Sequence, residues 1–476
     1  MQCLRRVKIG MGRRIPSESF PVREGTAEPA IVPKSGFKST HVRPLPTQNP
    51  KADEIAGGGN VKRVKPRTSA IIQDTLAVIL AGGQGERLYP LTKHRAKPAV
   101  PFGGIYRIID FALSNCINSQ LKRICVLTQY KSDSLDRHIR LGWNIFSYDR
   151  GEFIFTIPPQ LRASEKWYQG TADAVYQNIY TIERESPEYV LILCGDHIYK
   201  MDYSELLDFH VAAGADVTVS TIEFPREAAS HLGVLEIDRN QRIVGFEEKP
   251  KNPKPMPSNP NLVLASMGIY VFRTSVLIQA LLDDAGKETS HDFGRNIIPN
   301  LIGDKNVYAF NFKDMNQKDA KYWRDVGTLD AYFDANMDLI SIDPQFNLYD
   351  KEWPIRTYVR SYPPAKTIWA LEHEGRVGVA INSIISQGSI VSGGRVRNSI
   401  LSPEVRINSY SEVDECIMMN GVDVGRHARL RRVIVDKYVR IPPGTEIGYN
   451  PEEDRRRFSV TESGVVVIPR NACFWD

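Results

Sequence analysis

Between residues 76 and 272 short apolar runs alternate with amphipathic stretches. LAVILAGG (76–83), ICVLTQY (124–130), YVLILCGDHIY (189–199), DVTVSTIEF (216–224) and ASMGIYVF (265–272) have the length and β-branched content of buried strands. RIIDFALSNCINS (107–119) and TADAVYQNIYTIERE (171–185) read as helices between them. GVLEIDRNQRIVGFEEKP (233–250) alternates on either side of a polar turn, the pattern of a hairpin. Near-continuous apolar strands separated by helices predict a mostly parallel sheet covered on both faces, hence a Rossmann-like α/β domain over 71–330.

The C-terminal part has another period. Ile390, Val396, Leu401, Ile407, Val413, Met418, Val424, Leu430, Val435, Ile441 and Ile447 follow one another at steps of 6, 5, 6, 6, 5, 6, 6, 5, 6 and 6. Helices give steps of three and four, and single strands give steps of two. A step near six, with every three steps summing to 17, predicts a parallel β-helix with three faces per coil. We place this solenoid at 376–476, after a connecting segment at 331–375. An irregular β-sandwich is the alternative.

Residues 1–70 show almost no periodicity. They hold eight prolines, the run GGG at 57–59, and 14 basic against five acidic residues, a net charge of +9. They read as a disordered basic tail, with a transit peptide or an interaction arm as the functional alternatives. The formal net charge of +5 therefore belongs to the tail, and the remainder carries −4. That balance argues against a nucleic-acid partner. No run of 18 apolar residues suggests a transmembrane helix, and the opening MQCLRRVKIGMGRR lacks the apolar stretch of a secretory signal. Cys3, Cys116, Cys125, Cys194, Cys416 and Cys473 form no metal-binding or disulfide pattern, which suits free thiols in a reducing compartment.

The candidate chemistry begins at ILAGGQGERLYPLTKHRAKPAV (79–100). It is neither a Walker loop nor the dinucleotide fingerprint. Gly82, Gly83 and Gly85 nevertheless let backbone N–H groups approach a phosphate, and Arg87 and Lys97 add a fork and a point charge. Asp196 follows a buried run, Glu248 and Lys249 end the hairpin, and Asp325 sits in YWRDVGT. Each aspartate alone could cap a helix. Together with the basic loop they point to metal-assisted phosphoryl chemistry.

GGQGERLYPLTKHRAKPAVPFGG, SNCINS, WYQGTADAV, GDHIYKMDY, FEEKP, SMGIYVF, HDFG, YWRDVGT and WPIRTY, in this order, resemble the ADP-glucose pyrophosphorylases of the sugar-nucleotidyltransferase family over roughly 74–470. The resemblance implies a left-handed β-helix after the catalytic domain. It implies ATP and glucose 1-phosphate as substrates, with no covalent intermediate, Mg²⁺ as cofactor, a cytoplasmic homotetramer, and control by anionic metabolites. It places Gly82, Gly83 and Arg87 on the triphosphate, with Lys97 supporting the same charge, Leu80 and Ala81 against ATP, and Gln129, Tyr168, Gln169 and Gly170 beside adenine. Asp196 and Asp325 would hold the metal. Lys249 would take the sugar phosphate, and Gly195, Glu248, Ser266, Tyr270, Asp292, Phe293 and Trp323 the glucose. Arg95, Arg107, Arg455, Arg456 and Arg457 are effector candidates. His94 stands where some members carry an activator lysine, and an imidazole is charged only part of the time near neutral pH. His197 and His291 read as structural. Competing readings are a different nucleotide (UDP-, dTDP- or GDP-sugar), a non-catalytic regulatory subunit, and an acyltransferase using His427 of the solenoid.

Overall fold

The computed structural model describes residues 66–160, 166–318, 320–369 and 376–474. The tail up to residue 65 lies outside the described residues. Helix α1 (Pro66–Gln73) begins inside the stretch read as tail, because Ile71 and Ile72 bury in the same core as Leu206 and Leu207.

The central sheet has nine strands. Phe153–Ile157, Arg123–Thr128, β1 (Thr75–Ala81) and Tyr189–Cys194 run side by side and parallel. Leu262–Arg273 joins antiparallel to Tyr189–Cys194 and carries the hairpin Gly233–Ile237/Ile243–Glu248. Two apolar cores cover the two faces. This is why β1 and Tyr189–Cys194 are apolar at successive positions instead of alternating.

Two expected elements are broken. The run 189–199 is one strand only to Cys194, after which His197–Tyr199 leaves the sheet and pairs with Trp323–Asp325. The helix at 171–185 is interrupted at Gln177–Asn178. Asn178 Nδ2 donates to Ala174 O at 2.8 Å, the acceptor that a continuous helix would give to the Asn178 main-chain N–H.

Helix α2 (Ile109–Asn118) explains the SNCIN motif. Asp110, Ser114, Asn115 and Asn118 form a polar stripe at helical spacing, and the first three are buried. The stripe holds the connecting segment. Asp110 accepts from Thr357 Oγ1 at 2.6 Å, Arg356 N donates to Ser114 Oγ at 2.8 Å, Trp353 Nε1 donates to Asn115 Oδ1 at 2.9 Å, and Asn118 Nδ2 donates to Pro354 O at 3.0 Å.

The solenoid has three sheets whose coils stack in parallel, the third closed by the antiparallel strand Ser459–Val460. Residues 17 apart lie in register, as Val396↔Val413↔Leu430↔Ile447. The first coil is one residue shorter: Val391, not Ile390, faces Ile407. Val391 is fully buried where Ile390 is not, so the inward column starts one position later than the periodicity suggested. The third sheet is buried on both sides. Met418, Val433, Val435 and Ile468 fill the solenoid, while Ile417, Ile434 and Val467 pack with Phe102 and Phe111 of the α/β domain and with Tyr332 just beyond it.

Leu430 sits in the middle of the inward column and has no solvent exposure. Leu430→Ala should cost about 2–5 kcal/mol, because the stacked coils can collapse only slightly around the cavity. Calorimetric unfolding would show this as a lowered transition, and an unchanged transition would contradict the packing described.

Candidate active site

At the end of β1 the chain turns through Gly82–Gly85. Gly85 has φ 65°, and a Cβ there would stand 3.1 Å from both Lys97 Cβ and Thr92 Cγ2, so both conformation and space demand glycine. Thr92 Oγ1 donates to Gly85 O at 2.9 Å and fixes the turn. Gly83 has nothing within 4 Å of its missing Cβ and faces open space. The helical turn Glu86–Leu88 then buries Leu88 and leaves Arg87 exposed.

The two aspartates meet because of the broken strand. Gly195 N donates to Leu80 O at 3.0 Å, beneath the end of β1. The antiparallel pair that follows sets Asp325 opposite His197, next to Asp196. Lys97 Nζ donates to Asp196 Oδ2 at 2.8 Å and to Asp325 Oδ1 at 3.0 Å. Burial alone would lower the pKa of this ammonium, but the two carboxylates outweigh it and the net shift is upward. For Asp196 burial pulls upward, while Lys97 and then His197 pull harder, to a pKa of about 2. Both groups are therefore charged at neutral pH. Gly327 leaves room for this arrangement: a Cβ there would lie 3.0 Å from Asp325 Oδ2 and 3.1 Å from Arg87 Nη2.

Two cavities meet at Asp196. One, of about 540 Å³, is walled by Gly83, Gly85, Arg87, Lys97, Asp196 and Gly327. The other, of about 530 Å³, runs from Leu80, Gly82 and Gly83 past Gln129, Tyr168, Gln169 and Gly170 to Glu248, Lys249 and Asp292. Ala81 and Asp196 line both. Gln129 Oε1 accepts from Tyr168 N at 3.1 Å, which ties two of the expected adenine neighbours together. Gly170 is held against the chain at Ser290–His291, where a Cβ would come within 2.3 Å of His291 O.

Among the residues expected near the sugar, Lys249 Nζ lies 3.2 Å from Glu248 Oε1 and is half exposed. Asp292 caps the turn Phe293–Ile297, accepting from Gly294 N and Arg295 N, and its other oxygen accepts from Thr171 Oγ1 at 3.0 Å. Ser266, Tyr270, Phe293 and Trp323 are buried. Tyr270 and Phe293 pack together in one core of the sheet and Trp323 belongs to the other, so these side chains back the site instead of forming its open wall. Trp323 Nε1 and His197 Nδ1 are buried without partners.

Cys194, Asp196 and His197 also bring ligand-type atoms within 4.8 Å of one another. Burial and then the carboxylates of Asp196 and Asp325 raise the Cys194 thiol well above its ordinary pKa, so it stays protonated. The Asp196–Asp325 oxygen pair is the better fit to a hard divalent cation.

The effector candidates separate. Arg107 lines a third cavity, of about 330 Å³, together with Arg137, Arg360, Lys437 and Arg470. Arg95 is instead buried in an ion pair with Asp436. His94 is exposed and lies off that cavity wall. Arg455, Arg456 and Arg457 are exposed in the last turn of the helix Pro451–Arg457, where Arg457 pairs with Glu453.

Arg295, Tyr130 and Trp167 were not foreseen. Arg295 lines the second of the two cavities, and Tyr130 and Trp167 stack at its rim with centroids 5.5 Å apart. Their neighbours in HDFGR, TQY and KWYQG were the available signal.

The profile described as "Nucleotidyl transferase" matches residues 76–342, and the one described as "GlmU-like, C-terminal hexapeptide" matches residues 363–468. The glucose-1-phosphate adenylyltransferase of Koribacter versatilis (strain Ellin345) is 58% identical over 406 residues, which cover 85% of this chain and 97% of the relative. That of Rhodopirellula baltica is 54% identical over 421 residues, 88% of this chain and 94% of the relative. The glucose-1-phosphate adenylyltransferase 2 of Vibrio cholerae serotype O1 is 52% identical over 406 residues, 85% of this chain and 99% of the relative. Identity at this level, running through both domains, makes the chain a member of the nucleotidyl transferase family, similar along most of its length to glucose-1-phosphate adenylyltransferases.

Proposed function

We propose that the protein joins ATP and glucose 1-phosphate to give ADP-glucose and pyrophosphate. The observation that carries this reading is the position of Asp196, at the junction of a cavity holding Arg87 and Lys97 with one holding Gln129, Tyr168 and Lys249. A sugar-phosphate oxygen that enters beside Lys249 can approach the α-phosphorus of ATP from the side opposite the departing pyrophosphate. Arg87 and the N–H groups of Gly82 and Gly83 receive the charge that builds on the leaving group. Lys249 holds the attacking phosphate, and Glu248 steadies that ammonium from 3.2 Å. Asp196 and Asp325 are the residues that would hold Mg²⁺, which when bound neutralises phosphate charge and aligns the reacting oxygens. Lys97 keeps the two carboxylates together.

ATP, UTP, dTTP and GTP offered separately with glucose 1-phosphate, with pyrophosphate release as the readout, should give turnover with ATP far above the others. A preference for UTP, dTTP or GTP would replace this reading with another sugar-nucleotide product. Lys249→Ala should mainly raise KM for glucose 1-phosphate, because that contact exists in ground and transition states alike. Asp325→Asn should lower kcat by about 10²–10³, because its charge matters most as the transition state forms. Near-normal kcat in Asp325→Asn would reverse these roles.

Anionic effectors fit the cavity of Arg107, Arg137, Arg360, Lys437 and Arg470. Burial, followed by the charges of Arg107 and Arg95, pushes the Lys437 ammonium down to a pKa of about 7. It is therefore charged below neutrality and loses its charge as pH rises through that value. Sulfate keeps a constant charge over this range and serves as the probe. Its binding should weaken between pH 6 and 8 in the wild type and stay nearly level in Lys437→Arg. Equal slopes in the two proteins would remove Lys437 from the cavity's anion chemistry.

A further inference from the structure

Arg95 and Lys97 are two residues apart, and both are buried in ion pairs that reach distant parts of the chain. Lys97 grips Asp196 and Asp325. Arg95 Nη2 donates to both oxygens of Asp436, at 2.8 and 3.0 Å, with side-chain exposures of only 5% and 2%. Asp436 lies in the solenoid, directly after the strand Val433–Val435 that packs on the catalytic domain. Its Oδ1 also accepts the Lys437 main-chain N–H at 2.7 Å, which fixes the carboxylate's direction. Between the two cations, the Ala96 N–H makes a longer bond of 3.3 Å to Lys131 O.

A buried ion pair is a poor way to fasten two domains. Removing both charges from water costs about as much as their attraction returns, and apolar side chains of similar size often hold as well or better. The surrounding contact is already apolar, with Ile417, Ile434 and Val467 packed on Phe102, Phe111 and Tyr332. Both bonds leave the same nitrogen, Nη2, while Nη1 faces Met419 Sδ at 3.8 Å. What such a charged, hydrogen-bonded pair supplies and an apolar contact does not is a preferred direction and distance.

We propose that the Arg95–Asp436 ion pair is a positioning pair for adenylyl transfer: the solenoid domain, through Asp436, sets the segment 95–97 and thereby the grip of Lys97 on Asp196 and Asp325. This inference rests on the adenylyl-transfer reading above. Neither Arg95 nor Asp436 lines the two cavities that meet at Asp196. They act through Lys97, two bonded residues and one ammonium away from the reacting phosphates. The transfer site of the catalytic domain is then incomplete without the solenoid, although every group expected to contact ATP comes from residues before 330.

The test compares three variants of the full chain with the wild type. Asp436→Asn leaves Arg95 buried and unpaired, so it should lower both the unfolding temperature and kcat. Asp436→Glu keeps the charge and should recover part of the turnover. The deciding variant is the double substitution Arg95→Met/Asp436→Leu, which removes both buried charges together. We expect it to unfold near the wild-type temperature and yet to show kcat reduced by about tenfold or more. KM for ATP should change little, and the Mg²⁺ concentration that gives half-maximal rate should rise, because the carboxylate pair is no longer held. If the double variant recovers turnover and Mg²⁺ dependence along with stability, the pair is only a fastener and the proposal is overturned. A wild-type protein that makes no ADP-glucose would instead overturn the functional reading itself, so the two failures are distinct.

Discussion

One ammonium group organises the candidate active site. Lys97 sits between Asp196 and Asp325, within 3.0 Å of both. Two carboxylates at that separation repel each other, and in a partly buried place the repulsion is weakly screened. The lysine makes the pair tolerable, and the pair in turn keeps the buried lysine charged. Three separate pieces of backbone are fixed by this one contact: the segment after the glycine turn, the bend at Gly195, and the short strand Trp323–Asp325. Moving any one of them changes the others, so the glycines at 85 and 327 make space beside Lys97 and Asp325, while Gly195 lets the bend pack against Ile79, Leu80 and Ile109.

Much of this was legible in the sequence because apolar periodicity records burial directly. The strands around the glycine loop, the hairpin and the period of the solenoid all follow from which positions must leave water. The misreadings have local causes. Ile390 and Val391 are both aliphatic, and nothing in the spacing reveals that the first coil has 16 residues where later ones have 17. The strand 189–199 looks continuous because Ile198 and Tyr199 are buried like the residues before Gly195, but Ile198 turns to a different core while Tyr199 returns to that of Leu191 and Leu193.

The site residues were legible to different degrees. Arg87, Lys97, Asp196 and Asp325 carry charges beside glycines or strand ends, and the chemistry of phosphate singles them out. Arg95 carries the same charge two positions from Lys97, and no sequence pattern distinguishes a guanidinium facing a cavity from one facing Asp436. The partner is 341 residues away in the chain. Lys437 was hidden for a related reason: only the fold brings it to the wall that Arg107 also lines. Long-range pairing of charges is the part of the architecture that local pattern cannot encode.

The polar stripe of α2 bears on how the chain is assembled. Asp110, Ser114, Asn115 and Asn118 bind residues 353–357, and the strands of the solenoid follow after those residues. During synthesis from the N-terminus the helix emerges long before its partner segment, and domains tend to fold as they emerge. The catalytic domain can therefore present a finished docking edge before the last third of the protein has been made. The growing solenoid then winds from an anchored first coil, which limits the chance that two nascent chains exchange their coils.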